Sequence, residues 1–163
     1  MKNTTKAILI AVCFMLTATT LMSTVMAGDF VVLREKDPNT WLVVPGGNWG
    51  LFTVTNLNRM TFFSFRGVQV VPNADYCLIS FKESYPGIGS VRIANGTSSS
   101  TGTLFIRGIL PTLVWNTYTT GDYAGQTGAK IWLVLKNDVD YATGEFVLWH
   151  PGLYLFQTKL ILV

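Results

Sequence analysis

Turn-forming residues interrupt this chain about every ten positions, and that spacing limits what it can fold into. Lys36-Asp37-Pro38-Asn39, Pro45-Gly46-Gly47, Asn56-Leu57-Asn58, Thr143-Gly144 and Pro151-Gly152 separate short apolar runs rich in Val, Ile, Thr, Phe and Trp. β-Branched and aromatic residues suit a pleated surface, whereas no segment sustains the i, i+3, i+4, i+7 repeat of an amphipathic helix. The pattern predicts strands over Asp29–Arg34, Trp41–Val44, Trp49–Thr55, Met60–Val71, Tyr76–Lys82, Ser90–Asn95, Thr103–Gly108, Ala129–Lys136, Phe146–His150 and Leu153–Val163. Gly67 marks an expected bulge or bend, and Gly96 to Gly102 reads as a hairpin loop. In Tyr76–Lys82, Cys77, Ile79 and Phe81 fall on one face and Ser80 and Lys82 on the other, so one face is expected in the core and one in water.

The expected fold is all-β, a single antiparallel β-sandwich of immunoglobulin/fibronectin-like or transthyretin-like Greek-key type. Val70-x-Pro72-x-x-x-Tyr76 supports it. An apolar residue, a proline and a tyrosine leading into an alternating strand are similar to a tyrosine corner, whose phenol bonds back to upstream backbone.

Residues 1–27 have the layout of a cleaved secretory signal peptide: Lys2 and Lys6, an apolar stretch from Ala7 to Leu16, and Val25-Met26-Ala27 as a small-residue exit. Thr17, Thr19 and Thr20 break the run short of the ~20 apolar residues of a membrane span. The domain is therefore expected over 28–163, exported to the cell surface or beyond, with no membrane span after cleavage. Loss of the two leader lysines takes the formal charge from +3 to +1. No Lys/Arg cluster provides a footprint for nucleic acid. Cys13 leaves with the leader, so Cys77 remains alone and reads as a buried, inert thiol.

Charged residues are 13% of the chain against about 25% in a typical soluble protein, and this shortage bears on chemistry. The single histidine, His150, precedes Pro151 and reads as a strand-end residue; no Gly-x-Ser-x-Gly elbow accompanies it. No catalytic constellation or cofactor is expected. Asp138, Asp140 and Glu145 are the one group of hard oxygen ligands for Ca²⁺, although their spacing departs from the familiar Asp-x-Asp-x-Asp-Gly loop. Trp115 and Tyr118, flanked by Asn116 and Thr117, are the rings expected to be exposed for ligand stacking. Asn95-Gly96-Thr97 is an N-glycosylation sequon in an expected surface loop.

Across most of the region after the leader, the chain resembles small exported all-β proteins found chiefly in methanogenic archaea. The likeness runs through Lys36-Asp37-Pro38-x-Thr40-Trp41, Gly46-Gly47-x-Trp49-Gly50, Pro72-x-x-Asp75-Tyr76-x-Leu78-Ile79, Tyr85-Pro86-Gly87-x-Gly89, Gly128-Ala129-Lys130-Ile131-Trp132-Leu133-Val134 and Tyr154-Leu155-Phe156-x-Thr158. It implies export and a single sandwich, and transfers no catalytic residue. Together these features point to a non-enzymatic surface, adhesion or extracellular structural module, monomeric, whose partner is a surface glycan or cell-envelope protein. The alternative is a glycan-binding module using loop aromatics. A first strand beginning almost at the cleavage site is expected to pair within its own sheet.

Overall fold

The computed structural model describes residues 28–57, 60–119 and 121–162. The leader, residues 1–27, lies outside them. Among the described residues the chain is all-β, with strands β1 Gly28–Arg34, β2 Trp49–Leu57, β3 Met60–Val68, β4 Asp75–Phe81 and β5 Val91–Thr97. These are followed by β6 Leu104–Ile109, β7 Asn116–Thr117, β8 Thr127–Leu135, β9 Leu155–Gln157 and β10 Ile161–Leu162. All pairings are antiparallel, in the order β5-β4-β8-β9-β1-β2-β3-β6, with β7 and β10 added on β8.

The sheet is one hydrogen-bonded antiparallel path curled nearly into a barrel. Its end strands face each other where Gly96 of β5 meets β6: a Cβ there would lie 2.8 Å from Ile106 and 3.0 Å from Leu104. Near-closure leaves little unpaired edge. The first strand pairs inside its own sheet, with β2 and β9. Val31, Leu33, Phe52, Phe65, Leu78, Leu104, Ile131, Leu133 and Leu155 fill the interior, each burial stabilising by about 1.5–3 kcal/mol. No described helix is long and apolar enough to cross a membrane.

The tyrosine corner has the bond its spacing predicts: the Val71 N–H donates to the Tyr76 hydroxyl at 3.1 Å. Ser98 completes it, accepting from the Ala74 N–H at 3.0 Å and donating to the Val71 carbonyl at 2.6 Å.

Other local expectations are corrected. Gly67 is neither bulge nor bend; it pairs with Gly50, where a Cβ would lie 2.4 Å from the Phe65 ring, so the two glycines make room for that ring. The Trp41–Val44 segment contributes only the bridge Lys36–Val43, and Phe146–His150 only the bridge Val139–Phe146.

The face of β4 expected in water is also buried. Tyr76, Leu78 and Ser80 point toward the barrel side, while Cys77, Ile79 and Phe81 join Trp132, Val134, Val139, Phe146, Tyr154 and Phe156 in a second cluster. The chain from 136 to 154 folds over this outer face of β4, β8 and β9. Burial pushes the Cys77 thiol up to about 12, in keeping with an inert role.

Candidate functional site

The second cluster opens at one end into a cleft of about 620 Å³, within the range of small-ligand sites. Its floor is strand-borne. Phe81 of β4 stacks on Trp132 of β8, with centroids 3.8 Å apart and 10° between planes, and Phe156 of β9 meets Trp132 edge-on at 5.0 Å. The rim is supplied by loops. Trp41, Tyr85 and Trp149 come from three separate segments; Trp41 is 45% and Tyr85 58% exposed.

Each loop is held by its own hydrogen bonds. In 35–48, the Asp37 carboxylate accepts from the Asn39 and Thr40 N–H groups at 2.9 and 2.8 Å and from the Thr40 hydroxyl at 3.1 Å. These bonds, the Thr40 and Asn39 N–H groups first, hold the Asp37 carboxyl below its usual range. The turn closes as the Trp41 N–H donates to the Asp37 carbonyl at 2.8 Å, leaving Trp41 at φ 59°. A bulky residue seldom occupies this left-handed region, and such outliers cluster at functional sites. Its ring then rests against Trp149 at 6.1 Å and edge-on to Phe156 at 5.4 Å.

The Tyr85 loop is clasped by buried Ser90, whose hydroxyl accepts from the Lys82 N–H at 2.9 Å and donates to the Gly87 carbonyl at 2.6 Å. It docks on the following turn through Phe146 N–H to the Pro86 carbonyl and Gly89 N–H to the Thr143 carbonyl, 2.9 and 2.8 Å. Tyr85 thereby meets Trp149 edge-on at 5.2 Å.

Trp149 is braced from behind. Buried Asp138 accepts a short hydrogen bond from the Tyr154 hydroxyl and contacts His150 Nδ1 at 2.8 Å, and the same hydroxyl accepts the His150 N–H at 3.0 Å. Tyr154 lies edge-on to Trp149 at 5.5 Å. Burial, then its bond to Asp138, raises the Tyr154 phenol well above its ordinary value. Removing Asp138 would leave a buried hydroxyl without its acceptor, so this carboxylate positions the rim.

Lys130 pairs with Glu83 at 2.5 Å, while its ammonium sits 4.5 Å over the Tyr118 ring and 5.4 Å from that of Tyr123. Lys36, Tyr123 and Gln157 also border the cleft. Gln157 is 4% exposed and its Oε1 has no hydrogen-bond partner among the described residues. Such an orphan is uncommon in a folded interior.

No known family, curated protein or solved structure matches the chain. Its chemistry therefore rests on these side chains alone. The arrangement offers ring faces, an ion pair and a lysine, and so favours holding a ligand that has both apolar faces and polar substituents.

The residues singled out from sequence are placed differently. Tyr118 is a correction: it is 5% exposed, because the 118–126 loop closes through Tyr118 N–H to Gln126 O and Gly125 N–H to Tyr118 O, laying the ring under Lys130. Trp115 is 44% exposed but is not among the residues bordering the cleft. Asp138, Asp140 and Glu145 do not gather as cation ligands; among the described residues no three His, Cys, Asp or Glu side chains could hold a metal ion.

Asp138 is committed to Tyr154 and His150. The Asp140 carboxylate accepts from the Ala142 and Thr143 N–H groups at 2.7 and 3.1 Å, and Glu145 accepts the Asp140 N–H through its backbone carbonyl at 2.8 Å. Asn95 is exposed, yet it lies within β5 opposite Cys77 and not in the expected hairpin loop. His150 ends no strand; it precedes a 3₁₀ turn at Pro151–Leu153.

Sequence reasoning passed over Trp41, Tyr85 and Trp149 as a set. The signal was present, since each neighbours a Pro- or Gly-containing breaker, where a ring is carried on a turn instead of inside a strand.

Proposed function

We propose that the chain is an exported, non-enzymatic carbohydrate-binding domain whose ligand stacks in the cleft on Trp41 and Tyr85 and is backed by Trp149. The carrying observation is the convergence of these three rings, from three loops, on one cleft floored by Phe81, Trp132 and Phe156. Sugars present C–H faces to aromatic rings and hydroxyls to polar groups, and the cleft wall supplies both kinds of surface. This keeps the glycan-binding alternative from the sequence and moves it from Trp115 and Tyr118 to other rings.

Export rests on the layout of residues 1–27, and the likeness to small exported archaeal proteins belongs to the same proposal. The Tyr76 corner supports the finer relation to immunoglobulin-like Greek-key domains. The test is a glycan array followed by calorimetry on the domain beginning at Gly28. Binding that weakens at least about tenfold in Trp41→Ala and in Tyr85→Ala, about 1.4 kcal/mol each, supports the reading. A folded protein silent across the array, or unaffected by both substitutions, overturns it.

A structural or adhesive module is the second reading, favoured by one observation. Phe30, Phe62, Phe105 and Ile109 are all exposed on the outer face of β1, β2, β3 and β6, with Phe62 and Ile109 directly opposite each other. Apolar contact through that face would be lost in a Phe62→Ser/Phe105→Ser variant, whereas sugar binding in the cleft would persist.

A further inference from the structure

We propose that the saccharide taken by the cleft is acidic, bearing a carboxylate or sulfate that Lys36 holds. The inference rests on the carbohydrate reading and adds the ligand's charge to it. Among the described residues, the charged side chains bordering the cleft are Lys36, Glu83 and Lys130. Glu83 and Lys130 neutralise each other at 2.5 Å, and Lys130 is engaged further by the faces of Tyr118 and Tyr123. Among the described residues, the surplus charge on the wall is therefore the ammonium of Lys36.

Lys36 stands between two carboxylates in sequence, and both are occupied elsewhere. Glu35 accepts the Asn48 N–H at 2.9 Å, and Asp37 accepts three bonds from its own turn. Among the described residues neither they nor any other acid forms an ion pair with Lys36. Its main chain is fixed, because Lys36 and Val43 form a backbone bridge across the loop that carries Trp41. A lysine on the same loop as the stacking ring holds an anion beside a ring-bound sugar. The wall disfavours a cationic ligand for the same reason, despite its aromatic content.

The geometry also explains why the cleft would discriminate. Lys36 is half-buried beside apolar rings, where a charge pair is screened less than at an open surface. An added anionic group thus contributes affinity that a neutral sugar of the same shape lacks.

The experiment compares matched oligosaccharides by calorimetry: neutral galactose oligomers, galacturonate oligomers and sulfated galactose oligomers, at low and at physiological salt. At least one acidic series should bind about tenfold tighter than the neutral one, with an advantage that shrinks as salt rises. Whichever acidic series leads identifies carboxylate or sulfate as the recognised group. Lys36→Gln should bring the acidic-to-neutral affinity ratio close to one, and Lys36→Arg should retain it. Circular dichroism and thermal melting confirm that each variant is folded.

Neutral oligomers binding as tightly as acidic ones, or a ratio unchanged in Lys36→Gln, overturns the acidic specificity and leaves the carbohydrate reading standing. No binding of any series, with none on the array, overturns both.

Discussion

The Phe81 ring lies flat against the Trp132 indole, 3.8 Å between centroids and 10° between planes. Phe81 is paired in register with Lys130, and Trp132 with Ile79, so the two rings meet diagonally across β4 and β8. Diagonal neighbours are within reach of large aromatic side chains. This stack joins the barrel to the layer above it and forms the floor of the cleft. Trp132→Ala should cost about 3–5 kcal/mol of stability in urea unfolding, the range for deleting a large buried ring. A loss below about 1 kcal/mol would mean that the outer layer contributes little to the fold.

Asp138 and His150 are unequal partners despite their 2.8 Å contact. The carboxylate is 3% exposed and also serves the buried Tyr154 hydroxyl, whereas the imidazole is 49% exposed. Asp138→Ala should destabilise by about 2–3 kcal/mol, as expected for a buried hydrogen bond to a charged group. His150→Ala should cost less than about 1 kcal/mol, because the half-exposed imidazole is replaced by water while Asp138 keeps its bond to the Tyr154 hydroxyl. Equal losses in denaturant titrations would contradict the assignment of Asp138 as the brace of the Trp149 turn.

How much of this was legible in the sequence differs by element. The Tyr76 corner could be read from Val70, Pro72 and Tyr76, because its bond joins residues five apart. Most strands were legible for a similarly local reason. The error at β4 came from treating Ser80 and Lys82 as a wet face, although Ser80 is fully buried and its hydroxyl accepts the Val114 N–H at 2.9 Å. Tyr76 and Leu78 lie on that same face, and a nearly continuous apolar run signals burial on both sides. The cleft was illegible for a different reason: Trp41, Tyr85 and Trp149 meet only through contacts between distant loops, which no local periodicity encodes.

Acid should loosen the turns that carry the rim. Backbone hydrogen bonds depress the Asp37 carboxyl through Thr40 and Asn39, and that of Asp140 through Thr143 and Ala142, both below 3.8. A depressed carboxyl stabilises the fold fully above its unfolded value, and that contribution is lost as pH falls through the folded one. The window therefore lies below pH 3.8. Two-dimensional NMR of the Trp41 indole N–H should show its transition there, with Asp37→Ala already displaced at neutral pH. A transition above pH 5 would exclude these two carboxylates as its cause.

Gly144 tests whether the two turns beside the cleft must pack as closely as they do. It sits at φ +72°, and a Cβ there would lie 2.2 Å from the Ser90 carbonyl oxygen and 2.7 Å from the Ser90 nitrogen. Backbone cannot swing aside as a flexible side chain can, so Gly144→Ala must push the 140–146 turn off the Tyr85 loop. Gly46 offers a matched comparison, since it has φ +70° and nothing within 4 Å of the added carbon. Gly46→Ala should therefore cost only the conformational penalty, about 1–2 kcal/mol. Gly144→Ala should exceed it by at least about 1 kcal/mol, on the scale of overpacking a filled site. It should also weaken ligand binding by moving Tyr85, which Gly46→Ala should not do through this route. Equal stability losses for the two substitutions in urea titrations would show that the Tyr85 loop yields freely and that its docking does not shape the cleft.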